Sequence, residues 1–269
     1  MNETVNFPDP IDPAVLMGRT GLATFEHHAT VGSTMERARE LALLPGSRLP
    51  AAVVADLQSL GRGQRRARWW QAPGSLAVSV VVDASATPQS SPPAVWSLAC
   101  GVALAESVAA LVPSVEPLVR WPNDVEVNGR KLAGILVETT PGGRAIFGIG
   151  VNTTGSCRDV PPPLDKRLVT LPDLTGSILP RQSLLAEFLP RLFRLLAATG
   201  DDPEAFVPRY RARCGLEGQP VTVFSGGEQL TGICRGIAAD GRLVLDTPGG
   251  RAHVTSGSLT NPADVWRGD

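Results

Sequence analysis

The segment from Arg120 to Glu138, RWPNDVEVNGRKLAGILVE, places an aspartate and a lysine on either side of a short turn. Asp124 follows an asparagine and a rigid proline, and Lys131 enters a strand that is otherwise apolar. A lysine ammonium is a compact cation that can neutralise an oxyanion, and a carboxylate can hold a divalent cation or orient an amine. Two surface side chains would show the same spacing, but the neighbouring Asn, Pro and apolar residues favour a site.

A second segment, QSLGRGQRRARWW at residues 58–70, concentrates four arginines and two tryptophans in a chain whose formal net charge is only -1. Glycines allow a backbone to approach a ligand closely, and arginine offers paired donors suited to phosphate or carboxylate. A solvated basic loop is the alternative. The tryptophans favour anion binding, because an exposed indole gains little unless a ligand or another surface covers it.

A third segment, GIGVN at 148–152, is an apolar strand ending in an amide and is weak evidence on its own. Apolar and β-branched runs predict the strands that carry these motifs, at 51–55, 76–83, 117–121, 132–139 and 144–151. The last two strands are joined by TPGGR, which predicts an antiparallel hairpin.

Helical periodicity predicts helices at Ser33–Leu44 with Ser33 or Thr34 as the cap, at about Val95–Val112, and at Ser183–Ala198. Pro190 inside the last helix predicts a kink or a late start. From Gln219 onward the helical signals stop, and four short strands separated by glycine-containing turns predict a small β-barrel of about 50 residues. We therefore place a domain boundary near 214–219.

Composition limits the classes of function. The 269 residues are 43% hydrophobic and 19% charged, as in an ordinary globular protein, and the 25 basic and 26 acidic residues give no overall signal for nucleic-acid binding. The four cysteines form no C-x-x-C pair, which predicts free thiols rather than a zinc or redox site. No unbroken apolar run approaches about 18 residues, and the polar start MNETVNFPDPIDP lacks signal-peptide features. We expect a cytoplasmic protein that does not span a membrane.

In this order and spacing, the segments STMERA, QSLGRG…RWW, RWPNDVEVNGRKLAGILVE and GIGVN resemble the biotin–protein ligases over roughly residues 25–260. The block from WPND to KLAG is the most diagnostic part. The resemblance implies an α+β fold, in which an α/β mixed sheet with packed helices of the class II synthetase-like type is followed by a small SH3-like β-barrel. It divides the chain into an N-terminal extension (1–24), a biotin- and ATP-binding catalytic domain (25–214) and the barrel (215–269).

The resemblance also implies a two-step reaction. Biotin and ATP with Mg²⁺ would give biotinyl-5′-AMP, and the biotinyl group would then pass to one lysine of the biotin carboxyl carrier protein of acetyl-CoA carboxylase or a related carboxylase. Two anions must approach each other in the first step, so fixed cations are needed. Loss of one preorganised donor typically costs ~10²–10³ in rate.

The family motifs suggest roles for individual residues. Lys131 would contact both the biotin carboxylate and the α-phosphate, Arg62 would clamp the same region, and Asp124 would place Mg²⁺ or orient the incoming amine. The expected biotin-binding residues are Ser33, Thr34, Gln58, Gly61, Arg62, Gly63, Lys131 and Gly134. The expected ATP or adenylate contacts are Gln64, Arg65, Arg68, Trp69, Trp70, Asn123, Asn152 and Arg235.

The arginine-rich loop departs from the family pattern G-R-G-R-x-x-R-x-W. Without a gap, Gln64 and Ala67 stand at the two arginine positions and Trp69 is the tryptophan. With one residue inserted after Gly63, the pattern is met instead by Arg65, Arg68 and Trp70. The ungapped register predicts a weaker grip on the adenylate and easier release.

Other readings of the sequence stay open. About 25 residues precede the first motif, too few for the helix-turn-helix domain of family members that act as repressors, so we expect no DNA binding. A lipoate or octanoate ligase of the same superfamily is the nearest alternative enzyme, and a non-catalytic biotin sensor is an alternative from another class. RNA binding by the basic loop is the weakest alternative. Homodimerisation is possible, and the sequence does not decide it.

Overall fold

The computed structural model describes residues 9–64, 68–84, 93–162 and 164–259. Within these ranges the α-helices are α1 (Pro13–Thr20), α2 (Thr34–Leu43), α3 (Pro93–Leu111), α4 (Leu171–Thr175), α5 (Arg181–Asp201) and α6 (Pro203–Arg211). The strands are β1 (Thr24–Val31), β2 (Ala51–Gln58), β3 (Leu76–Asp83), β4 (Leu118–Arg120), β5 (Asp124–Val127), β6 (Arg130–Thr139), β7 (Arg144–Val151), β8 (Pro220–Ser225), β9 (Glu228–Ile237), β10 (Leu243–Thr247) and β11 (Gly250–Val254).

In the described part of the chain, seven strands form one mixed sheet in the order β1-β2-β3-β7-β6-β5-β4. β1 and β2 are parallel and are connected through α2, and every other neighbouring pair is antiparallel. Parallel strands require such a crossover, and it brings the carboxyl ends of β1 and β2 to the same edge, next to the start of α2. β6 and β7 form the hairpin predicted from the TPGGR turn.

Helices cover both faces of this sheet. α3 and α5 pack on one face and contribute to the main hydrophobic core, while α2 covers part of the other face with a smaller cluster that includes Met35, Val53 and Ile146. The central strands β2 and β3 are buried along most of their length. A strand whose two faces are both covered has a continuous apolar sequence, and this is why β2 and β3 could be predicted from the sequence.

α3 contains a window, Ala94–Leu111, that is long and apolar enough by composition to cross a membrane. Most of that window, 72%, is buried inside the protein, and its neighbours include α5 and β6. A helix that is hydrophobic on all sides is expected at the centre of a core, so the apolar stretch is explained by packing.

The remaining strands form a separate sheet in the order β11-β10-β9-β8, antiparallel throughout. The small C-terminal β unit is confirmed, but the pairing among the described residues leaves an open sheet rather than a closed barrel. β8 gains one further bridge, between Phe224 and Ser258. The division of the chain at 214–215 stays a prediction.

Several elements differ from the sequence prediction. α5 continues through Pro190, so the prediction that this helix begins only near the proline was wrong. Fully buried side chains on both sides of the proline, including Phe188 and Leu192, hold the helix in place despite the missing backbone donor. The sequence did not predict α1, β1, β5 or α6, because β1 is a largely exposed edge strand rich in polar residues and the others are short.

Candidate active site

A cavity of about 480 Å³, including its open mouth, lies on the sheet face that α2 partly covers. The α2 crossover, the arginine-rich loop and the hairpin of β6 and β7 converge on it. Its lining residues are Ser33, Thr34, Met35, Gln58, Arg62, Gly63, Gln64, Trp69, Asn123, Lys131, Gly134, Ile135, Leu136, Gly148, Ile149 and Gly150. Ten of these sixteen are residues that the sequence proposed for the site.

Glycines form the floor of this cavity. Gly134 on β6 pairs with Gly150 on β7, and Gly148 lies two residues earlier on β7. A methyl group at Gly150 would overlap the Trp69 indole, and one at Gly148 would lie 2.6 Å from the Met35 sulfur. The absence of side chains at these positions is therefore what allows Trp69 and Met35 to lie against the sheet.

A β-bulge directs Lys131 into the cavity. The register between β5 and β6 shifts between Val125 and Glu126, so Glu126 pairs with Lys131 while Val125 pairs with Ala133. Side chains alternate between the faces of a strand, and one extra residue reverses that alternation. Lys131 consequently lies on the same face as Gly134 instead of pointing into the core.

Lys131 is held by a carboxylate and an aromatic ring. Its Nζ lies 2.7 Å from Oδ1 of Asp124, without the alignment of a hydrogen bond, and 5.7 Å from the centroid of the Trp69 ring. Both side chains of the ion pair are about one quarter exposed, 28% for Lys131 and 25% for Asp124. The ammonium is thus accessible to an anion that enters the cavity, and a cation over an indole is favourable at this distance.

The segment before Asp124 is fixed by a pair of hydrogen bonds to β6. Asn123 donates from Nδ2 to the Ile135 carbonyl at 2.8 Å, and the Ile135 N–H donates to the Asn123 carbonyl at 2.9 Å. On the same face as Asp124, burial raises the pKa of the Glu126 carboxyl, and the nearby Arg120 opposes this shift. Asn123 therefore fixes the segment before Asp124 against β6. The charged neighbours of Lys131 are the carboxylates of Asp124 and Glu126 and the guanidinium of Arg120.

At the other end of the cavity, polar groups surround the start of α2. Thr34 donates from both its backbone N–H and its hydroxyl to Oε1 of Gln58, at 2.9 and 3.1 Å, and Ser79 donates to the Thr34 hydroxyl at 2.8 Å. Gln58 thus caps the helix. Ser33 occupies the N-cap position, but its buried hydroxyl has no hydrogen-bond partner among the described residues and is free to bind a ligand.

The arginine-rich loop closes one side of the cavity. The backbone N–H of Trp69 donates to the Gly61 carbonyl at 3.0 Å, and Arg62 and Arg68 form an isolated β-bridge through their backbones. The Arg62 guanidinium forms an ion pair with Glu36 of α2. Gly61 is buried against this bridge, and a Cβ there would lie 3.2 Å from the Trp69 carbonyl. Arg65 lies outside the described residues.

The position of the tryptophans bears on the register of the loop. Trp69 lines the cavity and covers Gly150, whereas Trp70 lies near Gly155 and Ala72 and is not a lining residue. This is the position expected for the tryptophan of the motif in the ungapped register. The register stays a prediction, and in the ungapped one Gln64 and Ala67 stand at arginine positions.

Three further sequence candidates do not line the cavity. Asn152 is fully buried and donates from Nδ2 to the carbonyls of Val169 and Lys131, at 3.0 and 3.4 Å. It therefore stabilises the backbone at Lys131. Arg68 is exposed and donates to the Ser59 carbonyl at 3.1 Å. Arg235 on β9 is paired with Asp246 at 2.7 Å. The ATP contacts proposed for these residues stay predictions.

Sequence reasoning missed six of the lining residues: Met35, Ile135, Leu136, Gly148, Ile149 and Gly150. The alternating glycines of GIGVN were an available signal, because glycine inside a strand often marks a close approach. The apolar residues gave no signal, since they resemble any core strand.

The donor set is compatible with Mg²⁺. This ion keeps several waters and is usually bound through one or two carboxylates together with substrate phosphates. Asp124 could supply such a carboxylate, although its Oδ1 is already paired with the Lys131 ammonium at 2.7 Å. Within the same residues there is no group of three or more His, Cys, Asp and Glu side chains that could hold a metal without a substrate.

Comparison with known proteins adds independent findings. Residues 29–153 match the Biotin/lipoate A/B protein ligase family, and residues 218–258 match the Biotin protein ligase C terminal domain. The biotin–[acetyl-CoA-carboxylase] ligase of Mycobacterium tuberculosis is 33% identical over 78% of this chain and 78% of its own length. That of Paracoccus denitrificans is 33% identical over 82% of this chain and 95% of its own.

The fold agrees with a solved structure. The biotin protein ligase from Aquifex aeolicus in complex with biotin and ATP superposes with a TM-score of 0.77 at 25% identity, covering 88% of this chain and 97% of that one. With its sequence motifs, cavity and relatives in agreement, this chain belongs to the biotin–protein ligase family.

Proposed function

We propose that this protein activates biotin with ATP to biotinyl-5′-AMP and transfers the biotinyl group to a lysine of a biotin carboxyl carrier protein. One observation carries the proposal: the bulge places Lys131 beside Asp124 at one end of a glycine-floored cavity whose other end is polar. The names of the relatives, which are biotin–[acetyl-CoA-carboxylase] ligases, support the choice of substrate and acceptor.

Biotin fits this cavity with its ureido ring at the start of α2. The ring is neutral with polar edges, and it needs a few hydrogen bonds within an otherwise apolar site. The free Ser33 hydroxyl and the Gln58 amide are the available donors and acceptors, and Thr34 keeps the Gln58 side chain in place. The flat glycine floor then leads the valeryl chain toward Lys131.

The carboxylate end requires positive charge. When the biotin carboxylate attacks the α-phosphorus, negative charge increases at the phosphoryl oxygens, and Lys131 would stabilise it from a fixed position. Arg62 would leave Glu36 and add a second cation from the loop. Mg²⁺, held by the phosphates and Asp124, would neutralise further phosphate charge when bound.

The adenylate must be protected until the acceptor arrives, because water hydrolyses a mixed anhydride. Trp69 and the loop from Gly61 to Gln64 would cover it and exclude solvent. In the second step, Asp124 would orient the incoming lysine amine toward the acyl carbon. Lys131 would continue to stabilise the charge on the departing phosphate.

The decisive experiment incubates the protein with biotin, Mg-ATP and a carboxylase carrier domain, followed by mass spectrometry of the carrier. The chain has only two lysines, so Lys166→Ala is a matched control for Lys131→Ala. We expect biotin on one carrier lysine with the wild type and with Lys166→Ala. We expect a loss of about 10²-fold or more with Lys131→Ala.

The same assay separates the alternatives. Transfer of lipoate or octanoate in preference to biotin would identify the other enzyme class of the superfamily. Biotin binding without ATP–pyrophosphate exchange would identify a sensor. The acceptor protein and a cytoplasmic location are part of the same proposal, since the carriers of these carboxylases must be accessible to the enzyme.

A further inference from the structure

We infer that Trp121 is a positioning residue for this reaction, through which the C-terminal sheet fixes the active-site segment from Pro122 to Asp124. The inference rests on the proposed function and assigns a role to a contact outside the cavity. Trp121 does not line the cavity, and its role follows from what its indole N–H binds.

The contact joins parts of the chain that are distant in sequence. Trp121 is 2% exposed, and its Nε1–H donates to the Gly241 carbonyl at 3.2 Å. Gly241 lies in the turn between β9 and β10, and that turn is closed by the Gly241 N–H to Ala238 and the Ala238 N–H to Arg242, both at 2.9 Å. A buried donor bonded to a rigid turn fixes the position of the indole.

The turn also rests on the first residues of α3. Gly241 has φ +80°, and a Cβ there would lie 3.0 Å from the Val95 nitrogen and 3.2 Å from the Ala94 carbonyl carbon. Close approach and positive φ both require glycine at this position. From the same end of α3, the Ser97 hydroxyl donates to the Pro122 carbonyl at 3.2 Å.

The fixed tryptophan is adjacent to the catalytic segment. Trp121 is followed by Pro122, then by Asn123 with its two hydrogen bonds to Ile135, then by Asp124 with its ion pair to Lys131. The segment is therefore held on both sides, by β6 and by the C-terminal turn. A misplacement of about 1 Å in a catalytic group can reduce a rate by about 10²-fold.

The test compares two tryptophans that differ in this one contact. Trp121→Phe keeps an aromatic ring and removes the N–H donated to Gly241. Trp96→Phe is the matched control, because Trp96 is buried in α3 and its Nε1 has no hydrogen-bond partner in the described ranges. The measurements are kcat and the KM for biotin in ATP–pyrophosphate exchange, and the melting temperature.

We expect Trp121→Phe to lower kcat about tenfold with the KM for biotin within about twofold of wild type, because the ureido end of the cavity is held by other elements. Trp96→Phe should keep kcat within about twofold at a similar loss of melting temperature. Equal kcat values for the two variants, or loss of kcat only in proportion to melting temperature, would contradict the inference.

A second variant approaches the contact from the other side. Gly241→Ala leaves every cavity residue unchanged and displaces the turn from α3. It should therefore also lower kcat, with a smaller change in the KM for biotin. A Gly241→Ala protein that folds with wild-type kcat would overturn the inference while the proposed function stands. A wild type without pyrophosphate exchange would overturn both.

Discussion

The site depends on residues that lack a side chain as much as on the charged ones. Gly150 lies under the Trp69 indole at the centre of the cavity floor, and any Cβ there overlaps the ring. Gly150→Ala should therefore displace Trp69, destabilise the protein by about 1–3 kcal/mol through overpacking, and raise the KM for biotin. Steady-state kinetics and urea unfolding measure both effects.

Gly142 provides the control for this prediction. It lies in the exposed turn of the same hairpin, and the nearest atom to an added Cβ is 3.9 Å away. Gly142→Ala should leave the KM unchanged. If the two alanine variants showed the same kinetics, the floor would not contact the ligand.

In the ungapped register, Gln64 is one of two residues at which this chain departs from the family pattern, and it lines the cavity. A neutral amide replaces a cation close to where phosphate is expected, so Gln64→Arg should slow dissociation of biotinyl-5′-AMP by about tenfold, equivalent to one charge-assisted hydrogen bond of about 1.4 kcal/mol. Release of labelled adenylate from the preformed complex measures it. Gln229→Arg on the exposed part of β9 makes the same charge change elsewhere, and an off-rate equal in both variants and wild type would reject the prediction.

The cysteines differ in reactivity because their surroundings differ. A hydrogen bond from the Cys234 thiol lowers the pKa of Cys214, whereas burial raises the pKa of Cys157 to about 11. Both cysteines are half-buried, so access is comparable. Cys214 therefore carries a larger thiolate fraction than Cys157 at neutral pH, and only the thiolate is nucleophilic.

Alkylation by iodoacetamide should accordingly label Cys214 before Cys157. The rate at Cys157 should rise with pH over a higher range than the rate at Cys214, because its thiolate forms at higher pH. Peptide mass spectrometry follows both sites in one sample. Faster labelling of Cys157 at neutral pH would show that the hydrogen bond does not favour the Cys214 thiolate.

Among the elements, those identified from sequence were the ones with the strongest periodicity. β3 and β7 were predicted with their observed boundaries, since both are unbroken apolar strands between clear turn signals. The bulge between β5 and β6 was not predictable, because it depends on the pairing register rather than on residue type. The sequence therefore identified Lys131 as a candidate but gave no reason why its side chain faces the cavity.

A buried ionic cluster joins the start of α5, the segment before α1 and strand β2. Arg181 at the start of α5 is 1% exposed and donates to Asp9 Oδ2 at 3.1 Å and to Asp56 Oδ1 at 2.5 Å. Asp56 belongs to β2, two residues before Gln58 of the cavity. Arg181→Met should cost about 3–5 kcal/mol, because it leaves the buried Asp9 without its cation and leaves Asp56 with only His27, 2.8 Å away, as a partner.

Equilibrium unfolding in urea tests this prediction. Arg194→Met, on the exposed side of the same helix, removes an arginine from solvent and should change stability by no more than about 0.5 kcal/mol. Similar losses in the two variants would mean that the buried cluster adds nothing beyond helix propensity.

For the whole molecule, the residues proposed for the site come from segments that are far apart in the chain. Ser33 and Gln58 lie at the parallel edge of the sheet, Lys131 and Asp124 lie on the hairpin side, and Trp121 connects that side to the C-terminal sheet. No local sequence pattern contains this arrangement. The family motifs predicted which residues belong to the site, whereas the spatial arrangement of these residues is visible only in the folded chain.

Because these segments meet only in the folded state, ligands should stabilise the whole protein. A ligand at about 100 times its Kd adds about 2.7 kcal/mol, and for a protein of this size each kcal/mol raises the melting temperature by about 2–4 °C. Biotin with Mg-ATP should raise the melting temperature by more than the sum of the shifts with biotin alone and with Mg-ATP alone, since the adenylate occupies both ends of the cavity at once.

The Lys131→Ala variant should keep the shift caused by biotin, because the ureido end of the cavity is intact. It should lose the excess shift, because the adenylate does not form. Differential scanning calorimetry measures the shifts, with lipoate as the control ligand, and an excess that persists in Lys131→Ala would mean that the lysine is not needed for adenylate formation.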